Sequence, residues 1–581
     1  MAKRRLTDSL IGLQNAAVGE VVGRIEEIAG IEPAPDVDSN AVLLLQHMES
    51  ALVRAQLEHP DVLSEEEFRR LRYLLTFARL HAFAPGAAGP ELRPGRADIV
   101  VGELIEEFRA KAIDALYRPL RKENKALDRL VGAKAALHDL EGELEATRNR
   151  VLEVHSNDFS RAELDAEVGY KALVYTLGGG GGAGYVYLGG IERLHDEGIK
   201  PDFMMANSMG AIIGSVVARE LPIPIKDYFD WAKTVTYRQI LGPARLNRRH
   251  GLNGVVALYF NRFAHDMFVR EDGSSLQMQD LAIPYETVVA GVRKQSFDRL
   301  PGRFRPSELT NLALRALPKR GNKNPALIAA LWQVAAFIDT RVVKPIVIGG
   351  DDLTKQFNVV DAASFSSSIP GVLHHESDDP RMWPLLDELM AEKDVAALVD
   401  GGAASNVPVE LAWKRIQDGR LGTRNALYLG WDCFHPQWDP KHLWLQPVTQ
   451  ALQIQMLRNA PYADSIVQFK PTLSPLSVAA SPAGIDRAIG WGRASIEPEI
   501  DFIKKATEPV WWDDADRSLL ESIEVSARTG IRLLSMSAII DNAKAAAEYI
   551  PRSERAKSRA KTVADKVVVK AREMRDKRAE S

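Results

Sequence analysis

At 581 residues, with 46% hydrophobic and 26% charged side chains, the chain has the make-up of a folded protein with a large core and room for more than one domain. A formal net charge of -4 speaks against bulk nucleic-acid binding, and a single cysteine, Cys433, excludes an internal disulfide and fits a reducing cytoplasm. No apolar core follows the basic Met1–Leu6, and the longest near-continuous apolar run, Ala326–Ile338, falls short of the ~20 residues that span a bilayer, so a cytoplasmic protein, soluble or peripheral at a membrane, is expected.

From the start to about Phe159 the pattern is helical. Ser64-Glu65-Glu66-Glu67 has the form of a capping box, and Phe68, Leu71, Leu74, Leu75 and Ala78 follow at helical spacing. A Pro/Gly-rich break covers residues 83–96, and the Leu/Ala/Glu/Lys-rich stretch from Val100 to Val154 predicts long helices. Nothing here has ligand spacing, so a packing or interaction segment is expected over residues 1–165.

The stretch Lys171–Glu220 reads as strand, glycine loop, helix, strand, sharp turn, helix. Lys171–Leu177 is a strand candidate, and Gly178 to Gly182 are consecutive glycines followed by Ala183 and Gly184. Such a loop leaves backbone N–H groups free to crowd around an anion. Tyr185–Glu197 is helical and ends at Gly198; Phe203–Met205 is a short strand. Ser208 then sits between strand and helix with small neighbours, Ala206 and Gly210, in the manner of a nucleophile elbow.

Further on, Leu221-Pro222-Ile223-Pro224 interrupts the chain. Tyr228, Phe229, Trp231, Tyr259 and Phe260 read as core aromatics rather than as a lipid-contacting cap. A basic segment, residues 299–323, precedes the apolar run; it reads as a solvated loop and a buried helix, with docking on an anionic membrane as the rival. Strands are expected at Tyr285–Ala290, Pro345–Ile348, Ala397–Val399, Ala426–Trp431 and Ile466–Phe469, and a small-residue helix and turn over Phe357–Pro370. Helices are expected over Val407–Ile416 and about residues 446–460. Alternating strands and helices imply a mostly parallel α/β sheet flanked by helices, over residues 166–475, with ligand chemistry at the carboxyl ends of the strands. That rule collects the glycine loop, Ser208 and Asp400, which ends a strand ahead of Gly401 and Gly402. The remaining 476–581 turns helical, and residues 552–581 carry 11 Lys/Arg against 5 Asp/Glu. Two readings stand for this tail: a basic amphipathic segment on an anionic membrane, and a frayed solvated helix.

A serine hydroxyl needs a base to take its proton, and the oxyanion that forms needs preorganised donors. The N–H groups of Gly179, Gly180 and Gly181 are the candidate donors and Asp400 a candidate base. Histidines are scattered; His374-His375, after the Ile369-Pro370-Gly371 turn, are the best of them and are read as pocket lining or surface.

Taken together these pieces resemble the patatin-like phospholipase family. Gly179 to Gly184 resembles its glycine-rich oxyanion motif, Ala206-Asn207-Ser208-Met209-Gly210 with Ala211 its nucleophile motif, and Asp280–Pro284 a lead into one of its strands. Ser366 to Gly371 resembles its Ser-x-x-x-Pro segment, and Asp400-Gly401-Gly402 with Asn406-Val407-Pro408 its Asp-Gly-Gly/Ala motif. The resemblance covers roughly residues 170–435. It implies a patatin-like sheet and a Ser208–Asp400 dyad without histidine. It also implies an acyl-enzyme on Ser208, an oxyanion hole at Gly179–Gly181, and phospholipid or other acyl-ester substrates. Calcium is not implied, no calcium loop or metal pattern is present, and no cofactor is expected. Two positions depart from the family: Ala183 stands where Arg or Lys is usual, and Ala206 where Gly is usual. The alternative is a catalytically degenerate, lipid-binding or scaffold member. Oligomeric state is left open.

Rival readings are weaker. The loop also satisfies a dinucleotide fingerprint, but Asp202 precedes the second strand instead of ending it. No Gly-Lys-Ser/Thr closes a Walker loop. A Ser-Asp-His hydrolase leaves the glycine loop unexplained and finds no late histidine loop.

Overall fold

The computed structural model describes residues 35–243, 249–297, 341–435 and 455–513, with isolated positions at 452, 516–518 and 520. The basic segment 299–323, the apolar run 326–338, the tail 552–581 and part of the 446–460 stretch lie outside the described residues. Residues up to Asp513 form one compact unit and Asp514–Ser581 a second. Among the described residues no helix is long and apolar enough to cross a membrane.

Among the described residues the first unit is led by five α-helices: α1 (Ala41–Glu58), α2 (Glu65–Arg79), α3 (Gly102–Tyr117), α4 (Ala126–Val154) and α5 (Arg161–Gly169). The expected capping box forms, with Ser64 Oγ accepting from Glu67 N and Glu67 Oε2 from Ser64 N. The Pro/Gly-rich break is bracketed by a short antiparallel pair, β1 (Ala82–Phe83) with β2 (Ile99–Val100). The helices share one apolar core with the sheet that follows.

That sheet holds β3 (Ala172–Leu177), β4 (Phe203–Ala206), β7 (Tyr285–Arg293), β8 (Val343–Ile348), β10 (Val395–Asp400), β11 (Ala426–Asp432) and β12 (Ser465–Gln468). β4, β3, β11 and β12 run parallel in that order, and β4 is parallel to β7. β3 and β11 are buried along their whole length, which is why their sequences read as near-continuous apolar runs. Among the described residues the longer helices that follow in the unit are α6 (Val186–Asp196), α7 (Ser208–Ala218), α8 (Ile225–Thr234), α9 (Val359–Ser366), α10 (Met382–Glu392), α11 (Val409–Gln417), α12 (Pro482–Ile496) and α13 (Ile500–Thr507). A small second sheet, β5 (Leu241–Pro243), β6 (Gly254–Leu258) and β9 (Gly371–His374), lies apart from the first.

The pairing of β7 builds the site. β8 occupies one edge of β7 from Thr287 to Val292. The other edge is shared: β4 takes Tyr285–Thr287 in parallel, and β10 takes Val289–Arg293 antiparallel. The two strands are therefore laid end to end along β7, with their carboxyl ends facing one another across Val288. The sheet is mostly parallel, as expected, and Asp400 reaches the Ser208 edge from one of its antiparallel strands. It does so because β7 runs on past the end of β4.

The helical layer is fixed at the opposite, amino end of the strands. Lys171 precedes β3, Asn425 precedes β11 and Asp464 precedes β12. Glu49 of α1 pairs with Lys171, Arg79 of α2 donates to Asn425 (2.8 Å), and Ser50 donates to Asp464 (2.6 Å). Burial alone would raise the Glu49 pKa, but Lys171, Arg79 and Arg72 outweigh it and hold the carboxyl at about 2. Burial, helped by the neighbouring Arg79 and Arg72 and opposed by Glu49, lowers Lys171 to about 8.

Candidate active site

Ser208 opens α7 at φ 49°, a left-handed conformation for a residue with a side chain. The turn after β4 forces it, and neighbouring groups hold it there. Ser208 N donates to Ser366 Oγ (2.9 Å), and Ser366 Oγ donates to the Val288 carbonyl (2.6 Å). Gly210 must lack a side chain, since a Cβ there would stand 2.5 Å from the Leu177 carbonyl oxygen. Ser366→Ala would leave the Ser208 N–H and the Val288 carbonyl without this partner, a cost of about 1–3 kcal/mol. The expected result is a kcat lowered about tenfold or more in a folded protein, with the acid limb of its pH profile unmoved, read by steady-state kinetics against pH.

The glycine loop follows β3 and passes directly over Ser208; a Cβ on Gly179 would lie 2.8 Å from Ser208 Cβ. Gly179 N donates to the Asn406 carbonyl (3.3 Å) and Gly182 N to the Pro475 carbonyl (3.0 Å). Among the described residues the N–H groups of Gly180 and Gly181 meet no acceptor. The three expected donors thus divide: Gly179 is engaged in holding the loop, and Gly180 and Gly181 remain. Gly181 has φ +53°, and a Cβ there would stand 2.3 Å from the Pro475 carbonyl oxygen. Gly184 lies against Met209, and the buried Cys433 backs the loop, with Sγ 3.5 Å from the Gly179 carbonyl.

Asp400 ends β10 and is buried. Burial raises its carboxyl to about 6, while hydrogen bonds from the Ser208 side chain and the Gly402 amide pull the other way. The Gly402 N–H fixes Asp400 Oδ1 at 2.8 Å, and Gly401 rests on the Val288 carbonyl. A carboxyl near 6 is ionised at neutral pH and basic enough to accept a proton.

Groups distant in sequence clamp the two halves together. Asn207 Nδ2 donates to the Ser405 and Asn406 carbonyls, tying the Ser208 turn to the loop that follows Asp400. Gln455 accepts from Asn406 N (2.9 Å) and donates to the Ala403 carbonyl (2.8 Å). Sequence reading placed Asn207 only in a turn and gave Gln455 no part, since their partners lie up to about 200 residues away.

Ser208 and Asp400 open into a cavity of about 610 Å³ whose walls are almost wholly apolar. Met209, Ile212, Ile213 and Val216 of α7 form one wall; Tyr228, Trp231 and Ala232 of α8, then Val235, form another. Phe260, Phe434, Leu452, Leu476 and the second small sheet close the rest. Tyr228 and Phe260 lie in the core as expected, with Trp231 packed against it, and all three also line the cavity.

The profile of the patatin-like phospholipase family matches residues 175–413. The chain carries a patatin-like phospholipase domain. It is similar to patatin-like phospholipase domain-containing protein 6 of mouse, orangutan (Pongo abelii) and human, at 29% identity over 161 residues in each case. The aligned stretch is 27% of this chain and spans only 11% of the length of those relatives.

Within the patatin-like domain the two departures are accommodated. Ala206 is buried beside Gly214, and Ala183 is buried near Gly180. His374 and His375 are corrected from pocket lining or surface to buried positions. His374 Nδ1 bonds the Leu252 carbonyl (2.9 Å), and His375 Nε2 pairs with Asp361 (2.9 Å). His374 ends β9, which pairs with β6, and His375 follows it. Asp202, the acidic residue of the dinucleotide reading, instead accepts from Leu173 N (2.8 Å) at the amino end of the sheet.

Proposed function

We propose that this chain hydrolyses acyl-ester bonds of lipids, phospholipids among them, through a Ser208–Asp400 dyad. The observation that carries the reading is Ser208 and a buried carboxyl of pKa about 6, Asp400, lining the same apolar cavity beside glycine amides that meet no acceptor among the described residues. Ser208 Oγ attacks the ester carbonyl as Asp400 takes its proton. The tetrahedral oxyanion is received by the N–H groups of Gly180 and Gly181, near the positive end of α7. Asp400 returns the proton to the departing alcohol, leaving the acyl group on Ser208. Water then attacks that ester with Asp400 as its base, and the fatty acid leaves. An apolar cavity suits the acyl chain, since each buried methylene stabilises by about 0.8 kcal/mol.

A fluorophosphonate probe tests this. Wild type is expected to be labelled and Ser208→Ala not, with lipid-ester hydrolysis lost in step. Folded wild type that stays unlabelled with detergent or phospholipid vesicles present would overturn the hydrolase, and fatty-acid binding without turnover would then identify a lipid-binding protein. Vesicles with and without anionic lipid would also report whether the chain docks on a membrane.

A further inference from the structure

Residues of two helices, α7 and α8, line the cavity, and each marks a distance along it. Ser208, Ile212 and Val216 recur every fourth residue on α7, so one stripe of that helix runs from the nucleophile along the cavity wall. Eight residues of helix span about 12 Å. One turn further the stripe stops being apolar: Arg219 and Glu220 form an ion pair there. Tyr228 closes this end. Its hydroxyl donates to Glu220 Oε1 (3.3 Å) and its ring lies under the Arg219 guanidinium (5.7 Å).

α8 gives the same length read in reverse. Tyr228, Trp231, Ala232 and Val235 line the cavity at helical spacing. Tyr228 sits at the closed end, while Tyr237, beyond Val235, donates to the Leu476 carbonyl (2.8 Å) beside the glycine loop. The six helical steps from Tyr228 to Thr234 cover about 9 Å, and Val235 extends the wall beyond the helix end.

We infer that α7 and α8 form a ruler that limits the acyl chain to about ten carbons, with Val216 and Tyr228 as its stop; this rests on the acyl-hydrolase reading for the chemistry at Ser208. An extended chain advances about 1.25 Å per carbon at ordinary bond lengths and angles, so 12 Å holds about ten. Shorter chains leave the cavity part-filled, and longer ones meet Tyr228 and the ion pair behind it. The substrate class is a medium-chain acyl ester.

The test separates the ruler from the chemistry. Saturated fatty acids from hexanoate to stearate compete with a fluorescent fatty acid on the Ser208→Ala protein, and matching nitrophenyl esters are hydrolysed by wild type. Affinity and kcat/KM are expected to rise about fourfold per methylene up to about decanoate and then level or fall. Val216→Phe should move that break about three carbons shorter, and Tyr228→Ala should move it longer; Ile212→Phe serves as a second shortening variant if Val216→Phe does not fold. Affinity that climbs smoothly to stearate, or a break unmoved in both directions, overturns the ruler. Absent fluorophosphonate labelling with the break present and movable overturns the hydrolase and leaves the ruler standing.

Discussion

Asp400→Asn should lower kcat/KM by about 10²–10⁴-fold while making the folded protein more stable. The first effect follows from losing the carboxylate proposed as the base for Ser208. The amide keeps the shape of the carboxyl and can still accept from Gly402 N, so the loop should hold its place. The pH dependence identifies the cause. In wild type, activity should fall as pH drops through about 6, because protonated Asp400 cannot take the serine proton. Asn has no such limb, so the residual rate should be flat there. Stability runs the other way. A folded pKa raised from 3.8 to about 6 means that ionising Asp400 costs folding free energy, a cost absent below pH 3.8 and complete above about 6. Removing the charge should restore up to about 3 kcal/mol at neutral pH. Rate–pH profiles and denaturant midpoints on the same two proteins check both signs. An Asn variant less stable at pH 7, or retaining an acid limb near 6, would show that Asp400 is not the buried, ionised base.

Glu49→Ala should be the most damaging substitution outside the site, destabilising by about 3–5 kcal/mol. Glu49 is buried, and Arg72, Arg79 and Lys171 are all ion-paired to it. Removing the carboxylate leaves three buried cations facing one another, with Asp464 near Lys171 and Glu508 near Arg72 as anions among the described residues. The effect should have its own pH signature. Glu49 is held at about 2 against an ordinary 4.5, so its contribution is present above pH 4.5 and lost as pH falls from there toward 2. Urea midpoints of wild type and variant should therefore converge in acid. Activity per folded molecule should stay near wild type, since the cluster lies at the far end of the strands from Ser208.

Much of the site was legible because its parts are local. Gly179–Gly184 and Ala206–Gly210 each combine a strand exit, small residues and a helix start within a few positions, and the backbone shape they encode needs little from elsewhere. Asp400 was legible by the same means, as a strand end before two glycines. The direction of β10 was not, because strand polarity depends on which edge of β7 is vacant, and β8 decides that. Nor did the sequence disclose the cavity aromatics. Tyr228 and Trp231 lie on the apolar face of an amphipathic helix, and that pattern is the same whether the face meets packed side chains or open space. Ser366, Asn207 and Gln455 act through partners far along the chain, where spacing carries no signal.

Strand β7 works as a splint: it aligns two chain ends that have no covalent reason to meet. Splints have discrete settings. A strand can shift against its neighbour only in whole residues, and a one-residue slip turns every side chain to the opposite face. If β10 were displaced by one position along β7, Asp400 would leave Ser208 altogether instead of drifting from it. The geometry of the pair is thus digital, and variants at Val288, Val289 or β10 should divide into those that keep full reactivity and those that abolish it, with few between.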